Sequence, residues 1–118
     1  MKLEVRENLE AVLENGREIQ SFVKGMELDC YRKDAKTRLA VERSFEIIGE
    51  ALNRAYKEDP ETTESIDNYR QIISFRNILA HCYDSIEDKI VWGIIEESLP
   101  VLMKKVESLL NTAGPTPV

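Results

Sequence analysis

Apolar residues return every three or four positions along nearly the whole of this 118-residue chain, and no window alternates convincingly with a period of two. That spacing restricts the fold to amphipathic helices that bury one stripe each. Leu9, Val12, Leu13, Ile19, Phe22, Val23 and Met26 share a stripe and predict a first helix over residues 3–25. Asn15-Gly16 lies inside it and is a hairpin signal, but both flanks keep the helical period. The helix is therefore expected to run through Gly16 at a cost of about 1 kcal/mol relative to Ala. Val41, Phe45, Ile48, Leu52 and Ala55 predict a second helix over residues 34–57.

Asp59 before Pro60 is a helix-start signal and predicts a short third element ending near Ile66. Asp67 or Asn68 is then expected to cap a helix over 69–82. Ser85 and Asp88 form a loose capping box for a last helix carrying Val91, Ile95, Leu99, Leu102, Val106, Leu109 and Leu110. Pro100 falls inside that last pattern and should kink it. The expected fold is all-α, an antiparallel bundle of four main helices with a short extra helix, over residues 1–110. Residues 111–118, ending Gly114-Pro115-Thr116-Pro117-Val118, read as a disordered tail.

Composition narrows the class further. At 42% hydrophobic and 32% charged, the chain is too apolar for disorder and too charged for a membrane protein. No uncharged stretch approaches the roughly 20 residues of a spanning helix. Met1-Lys2-Leu3-Glu4 begins no secretory signal, so a cytoplasmic location away from membranes is expected. Cys30 and Cys82 belong to no Cys-x-x-Cys pair and read as free thiols in a reducing compartment. A net charge of −6 argues against broad, nonspecific nucleic-acid binding, so any cationic site must be local.

The candidate chemistry lies in Arg76-Asn77-Ile78-Leu79-Ala80-His81-Cys82-Tyr83, which holds the chain's one histidine. Imidazole moves protons near neutral pH, a guanidinium can hold a phosphate, and tyrosine offers a hydroxyl. Tyr69, Ile72, Ile73, Ala80 and Tyr83 fall on one side of the predicted helix, widened by Phe75 and Leu79, with Arg76 in the middle of that face. An arginine there needs a carboxylate, a phosphate or a solvent-filled cleft, and Glu42, Glu46 and Glu50 are the candidate carboxylates. At about 100° per residue, His81 points roughly 140° away from Arg76, nearer Arg70, Ser74 and Asn77. The two converge only if the helix loosens before Tyr83 or a second subunit supplies the missing side chain. On residue types alone, Arg76 reads more often as half of a structural ion pair and His81 as a helix cap. Cys82 is no nucleophile for His81, because adjacent helical side chains diverge.

The run resembles the signature of the HEPN superfamily: Arg, a polar residue, then His after four to six residues. Its tighter form, Arg-x4-His-x-Tyr, met by Arg76, His81 and Tyr83, is similar to the HepT ribonuclease toxins of HEPN/MNT toxin–antitoxin pairs. Ile47-Ile48-Gly49-Glu50-Ala51, Trp92 and Leu99-Pro100 match further positions of that family in order. The resemblance implies a HEPN-like bundle forming a symmetric homodimer, with both histidines facing a shared cleft. It also implies metal-independent endoribonuclease activity on RNA, with Arg76 and His81 as catalytic residues and Asn77 orienting the histidine or the phosphate. No cofactor is expected, and one histidine with two dispersed cysteines cannot build a usual zinc site.

The resemblance further implies that a minimal nucleotidyltransferase antitoxin, in a type VII-like pair, silences the enzyme by AMPylation of Tyr83. As residues, Tyr83 reads alternatively as a packed aromatic. Glu50 either receives Arg76, shapes the site, or merely follows Gly49 at a close helix contact. The alternative function is a non-catalytic helical partner, or nucleotide-binding subunit, of such a nucleotidyltransferase.

Overall fold

A computed structural model describes residues 1–81 and 86–114. The described residues are helical, with no strand: α1 (Leu3–Phe22), α2 (Leu28–Lys33), α3 (Ala35–Glu58), α4 (Pro60–Glu64), α5 (Tyr69–His81), α6 (Asp88–Gly93), a π-helical turn (Ile94–Ser98) and α7 (Leu99–Ala113). None of these helices is long and apolar enough to cross a membrane.

The apolar stripes dictate the packing. α1 lies against both α3 and α7, and α3 lies against α5. Val5, Leu9 and Val12 of α1, Phe45, Ile48 and Leu52 of α3, Ile72 of α5, and Leu99, Leu102 and Val106 of α7 are buried in one core. Gly16 is buried where the Met103 side chain of α7 lies against α1. A Cβ added there would stand 2.7 Å from Met103 Sδ, so the residue that weakens the helix also admits the methionine.

Two helix starts follow from their capping side chains. Asp34 Oδ1 accepts from the Thr37 N–H at 3.0 Å at the start of α3. Asp59 Oδ1 accepts from the Thr62 N–H at 3.1 Å, and its Oδ2 from the Thr62 hydroxyl at 2.6 Å, at the start of α4. Pro60 follows Asp59 at the first turn, where the missing N–H costs nothing.

The structure departs from the expectations in several places. The first helix stops at Phe22, which is exposed, and six residues later a separate α2 forms. Its purpose is packing: Tyr31 is buried, with its ring 5.3 Å from that of Trp92. Asn68 does not cap α5: its Oδ1, the atom a cap would use, accepts no hydrogen bond among the described residues, while its Nδ2 donates to the Ser98 carbonyl at 3.0 Å and ties the start of α5 to the last helical pass. Ala80, assigned to the apolar face of α5, is exposed.

The last helical pass starts after Glu87, which makes no side-chain cap, while Ser85 lies outside the described residues. Where a kink at Pro100 is expected, a π-helical turn occupies Ile94–Ser98 immediately before α7. The widened turn accommodates the proline ring, which has no N–H to give and would clash with the carbonyl four residues back. Finally, helix α7 continues through Ala113, three residues into the segment read as a tail.

Candidate active site

Helix α5 is a local exception in an acidic chain. Its thirteen residues include Arg70, Arg76 and His81 and not one carboxylate. In a chain of net charge −6, this helix carries local positive charge without acidic residues of its own.

Arg76 leaves the middle of α5 and lies across α3. The crossing is set by Gly49, which is buried: a Cβ added there would come within 2.5 Å of Arg76 Cγ and closer still to Arg76 Cβ. Only glycine lets the two backbones approach this far. One turn away, Phe45 and Phe75 meet edge to face, with centroids 5.2 Å apart and planes at 78°, which fixes the crossing.

The guanidinium is thereby delivered to Glu50, the residue after Gly49. Arg76 Nη2 donates to Glu50 Oε1 at 3.2 Å, and Arg76 Nη1 donates to Asn77 Oδ1 at 2.9 Å. Of the three carboxylates named for Arg76, Glu50 receives it. Glu46 is instead 3.2 Å from Arg43. Glu42 stands in another group with Arg38 and Asp88, where burial and then the Asp88 charge hold its carboxyl above the ordinary carboxylate range.

The Arg76–Glu50 pair retains contact with solvent, its side chains being 26% and 35% exposed. At that exposure an ion pair adds about 1 kcal/mol or less to stability, so its main effect is to orient the guanidinium. Arg76 Nε makes no hydrogen bond among the described residues and is itself buried. The guanidinium is fixed in place while its side chain stays partly exposed, the condition for a cation that can meet an anionic oxygen from solvent.

His81 is the last described residue of α5 and is exposed. The helix is unbroken from Tyr69 through His81, so no loosening within those residues turns the imidazole toward Arg76. His81 instead closes an exposed polar stripe of Arg70, Ser74 and Asn77, spaced at four, three and four residues. Asn77 belongs to that stripe and also holds Arg76, so it links the two groups. Tyr83 and Cys82 lie outside the described residues.

Beside the stripe, Asn53, Tyr56, Tyr69, Arg70, Ile73 and Ser74 line a cavity of about 320 Å³ between α3 and α5. Periodicity gives no sign of it, since Tyr69 reads simply as core. The legible hint is the acid-free composition of residues 69–81. Among the described residues, no three His, Cys, Asp or Glu side chains are grouped to hold a metal ion.

Comparison with known proteins adds an independent line. Residues 12–109 match the family model described as "Ribonuclease HepT-like". The chain is similar to "Putative RNase MJ0127" of Methanocaldococcus jannaschii, at 36% identity over 115 residues, covering 93% of this chain and 90% of that protein. It is similar to "Putative RNase TTE0752" of Caldanaerobacter subterraneus at 32% identity, covering 90% of this chain and 94% of the relative. It is also similar to "Probable ribonuclease HepT" of Thermococcus cleftensis at 29% identity, covering 92% and 98% respectively. No solved structure matches.

Proposed function

The chain belongs to the HepT-like ribonuclease family, and from that premise we propose that it is a metal-independent endoribonuclease whose working groups are Arg76 and His81. The observation that carries this reading is the oriented, partly exposed guanidinium of Arg76. It is seated on Gly49, held by Glu50 and Asn77, and joined through Asn77 to the stripe that ends in His81.

The chemistry follows from those groups. The ribose 2′-oxygen attacks the adjacent phosphorus as its proton passes to the His81 imidazole. Negative charge builds on the non-bridging oxygens, where Arg76 stabilises it. The bond from phosphorus to the 5′-oxygen breaks, and that oxygen takes a proton as it leaves. The products are a 2′,3′-cyclic phosphate and a 5′-hydroxyl.

A single histidine cannot give and take a proton in the same instant. A symmetric homodimer supplies the second imidazole, with one His81 as base and its counterpart as acid. The divergence of Arg76 and His81 along an unbroken α5 favours that assembly, a HEPN-like antiparallel bundle paired about a two-fold axis. In this reading the protein is the toxin of a toxin–antitoxin pair, and a minimal nucleotidyltransferase silences it by transferring AMP from ATP to the Tyr83 hydroxyl, with pyrophosphate as the leaving group. An anionic adduct two residues beyond His81 would occupy the place of the RNA phosphate and compete for Arg76.

The test is incubation of the purified protein with single-stranded RNA in EDTA. Cleavage by the wild type, lost in His81→Ala and Arg76→Ala while thermal unfolding shows both variants folded, is the expected result. RNA left intact by excess wild-type protein would overturn the proposal.

A further inference from the structure

The cavity between α3 and α5 carries a second set of groups that the cleavage chemistry does not use. Tyr56 and Tyr69 stack there, with ring centroids 5.6 Å apart and planes at 15°. Tyr69 is buried by its neighbours, whereas Tyr56 is only half-buried and lines the opening. Arg70 folds back over Tyr69. Its guanidinium carbon lies 5.6 Å from the Tyr69 ring centroid, and its Nε donates to the Tyr69 hydroxyl oxygen at 2.9 Å.

The terminal nitrogens of Arg70 make no hydrogen bond among the described residues, and the residue is exposed. The side chain is thus held by one nitrogen and one ring, with two nitrogens available to an anion. Asn53 and Ser74 supply an amide and a hydroxyl to the same cavity. Its volume of about 320 Å³ lies at the small end of ligand sites.

We infer that this cavity is a nucleotide subsite of the RNA path: a base stacks at the Tyr56–Tyr69 pair and its phosphate is taken by Arg70. The inference rests on the reading of His81 as the RNA-cleaving group. Arg70 and Ser74 lie on the same exposed stripe as His81. Eleven residues of helix separate Arg70 from His81, about 16 Å at 1.5 Å per residue, a few nucleotides of single strand. The combination is the one that single-stranded nucleic acid uses: aromatic faces for bases, an arginine for the backbone, and polar side chains for base edges. A protein surface would find only one small hollow with an arginine at its edge, far less area than a stable protein contact buries. The subsite holds the strand in register while Arg76 and His81 act at the scissile phosphate, so Arg70 and Tyr56 are positioning residues.

The test uses the full chain carrying His81→Ala, so that RNA survives, and a fluorescent single-stranded RNA of about ten nucleotides read by anisotropy. Adding Arg70→Ala or Tyr56→Leu should weaken binding about tenfold. Arg70→Ala should also reduce the slope of log affinity against log salt by about 0.7, as for one lost phosphate contact, and Tyr56→Leu should leave that slope unchanged. Arg17→Ala, an exposed arginine on α1, is the control and should do neither. With His81 intact, Arg70→Ala should raise KM about tenfold and leave single-turnover cleavage at saturating RNA within about twofold.

Affinity and salt slope unchanged in both variants would overturn the subsite while leaving the His81 reading in place. A change in dimer mass by light scattering with RNA affinity intact would make the cavity a contact between copies and overturn it equally. Failure of the His81→Ala protein to bind RNA at all would sink both readings. Arg70 is exposed, so its variant should fold; should Tyr56→Leu unfold, Arg70→Ala alone decides.

Discussion

Replacing Gly49 with alanine is the sharpest structural perturbation available at the site. The new Cβ would stand 2.5 Å from Arg76 Cγ and closer to Arg76 Cβ. The Arg76 Cβ is fixed to the α5 backbone, so no rotamer change relieves that contact and the two helices must separate. Overpacking of a well-filled contact costs roughly 1–3 kcal/mol. A clash against a backbone-anchored atom belongs at the upper end, near 3 kcal/mol. Alanine returns about 1 kcal/mol through helix propensity. The net expectation is about 2 kcal/mol of destabilisation, or a fall in Tm of roughly 8 °C for a domain of this size.

Urea and thermal unfolding measure the effect, and the separation that relieves the clash also pulls Arg76 from Glu50, so RNA cleavage should fall with it. Gly16→Ala is the matched control. Its Cβ meets Met103 Sδ at 2.7 Å, the far end of a flexible side chain, so the strain is small and offset by propensity. Gly16→Ala should therefore be within about 0.5 kcal/mol of wild type, a size typical of substitutions that break no special feature. A Gly49→Ala protein as stable and active as wild type would refute the claim that this close approach sets the site.

The acid limb of the stability curve is also specified. Hydrogen bonds from the Thr62 hydroxyl and backbone hold the Asp59 carboxyl below its ordinary pKa of 3.8. The folded chain therefore binds that proton less readily than the unfolded one. Asp59→Ala should cost about 1 kcal/mol at neutral pH, and its gap to wild type in urea unfolding should close as pH falls through the folded value. Glu42 has the opposite sign, because burial and Asp88 raise its pKa. Its charged form destabilises the fold at neutral pH, so Glu42→Gln should raise Tm there and lose the advantage in acid, where wild-type Glu42 is protonated. Glu50→Gln keeps the shape of the site and removes the charge opposing Arg76. It should slow cleavage with little change in Tm, and equal cleavage would show that the carboxylate does not orient the guanidinium.

The sequence exposes the long helices and the start at Asp59 because apolar spacing and the Asp59-Pro60 signal act locally. It also places Arg76 in the middle of an apolar face and His81 on another side of the same helix, which follows from the 100° step alone. The choice among Glu42, Glu46 and Glu50 is not local. It depends on which turn of α3 lies under Arg76, and that is fixed by Gly49 and by the Phe45–Phe75 contact. Helix α2 escapes periodicity because six residues are too few to show a period. The π-helical turn escapes it because Pro100 marks a disturbance without saying how the preceding turn absorbs it. The stacking of Tyr56 on Tyr69 joins α3 to the first residue of α5, across a connection whose geometry no spacing rule encodes.

The central claim is that this chain cuts RNA through the ribose 2′-oxygen with its own guanidinium and imidazole groups. Mass spectrometry of the fragments formed in EDTA, beside a substrate with 2′-deoxyribose at the cleaved position, tests it most directly. The account predicts 2′,3′-cyclic phosphate and 5′-hydroxyl ends, and no cut at the deoxy position. Ends bearing a 5′-phosphate, or an undiminished cut at the deoxy position, would contradict it.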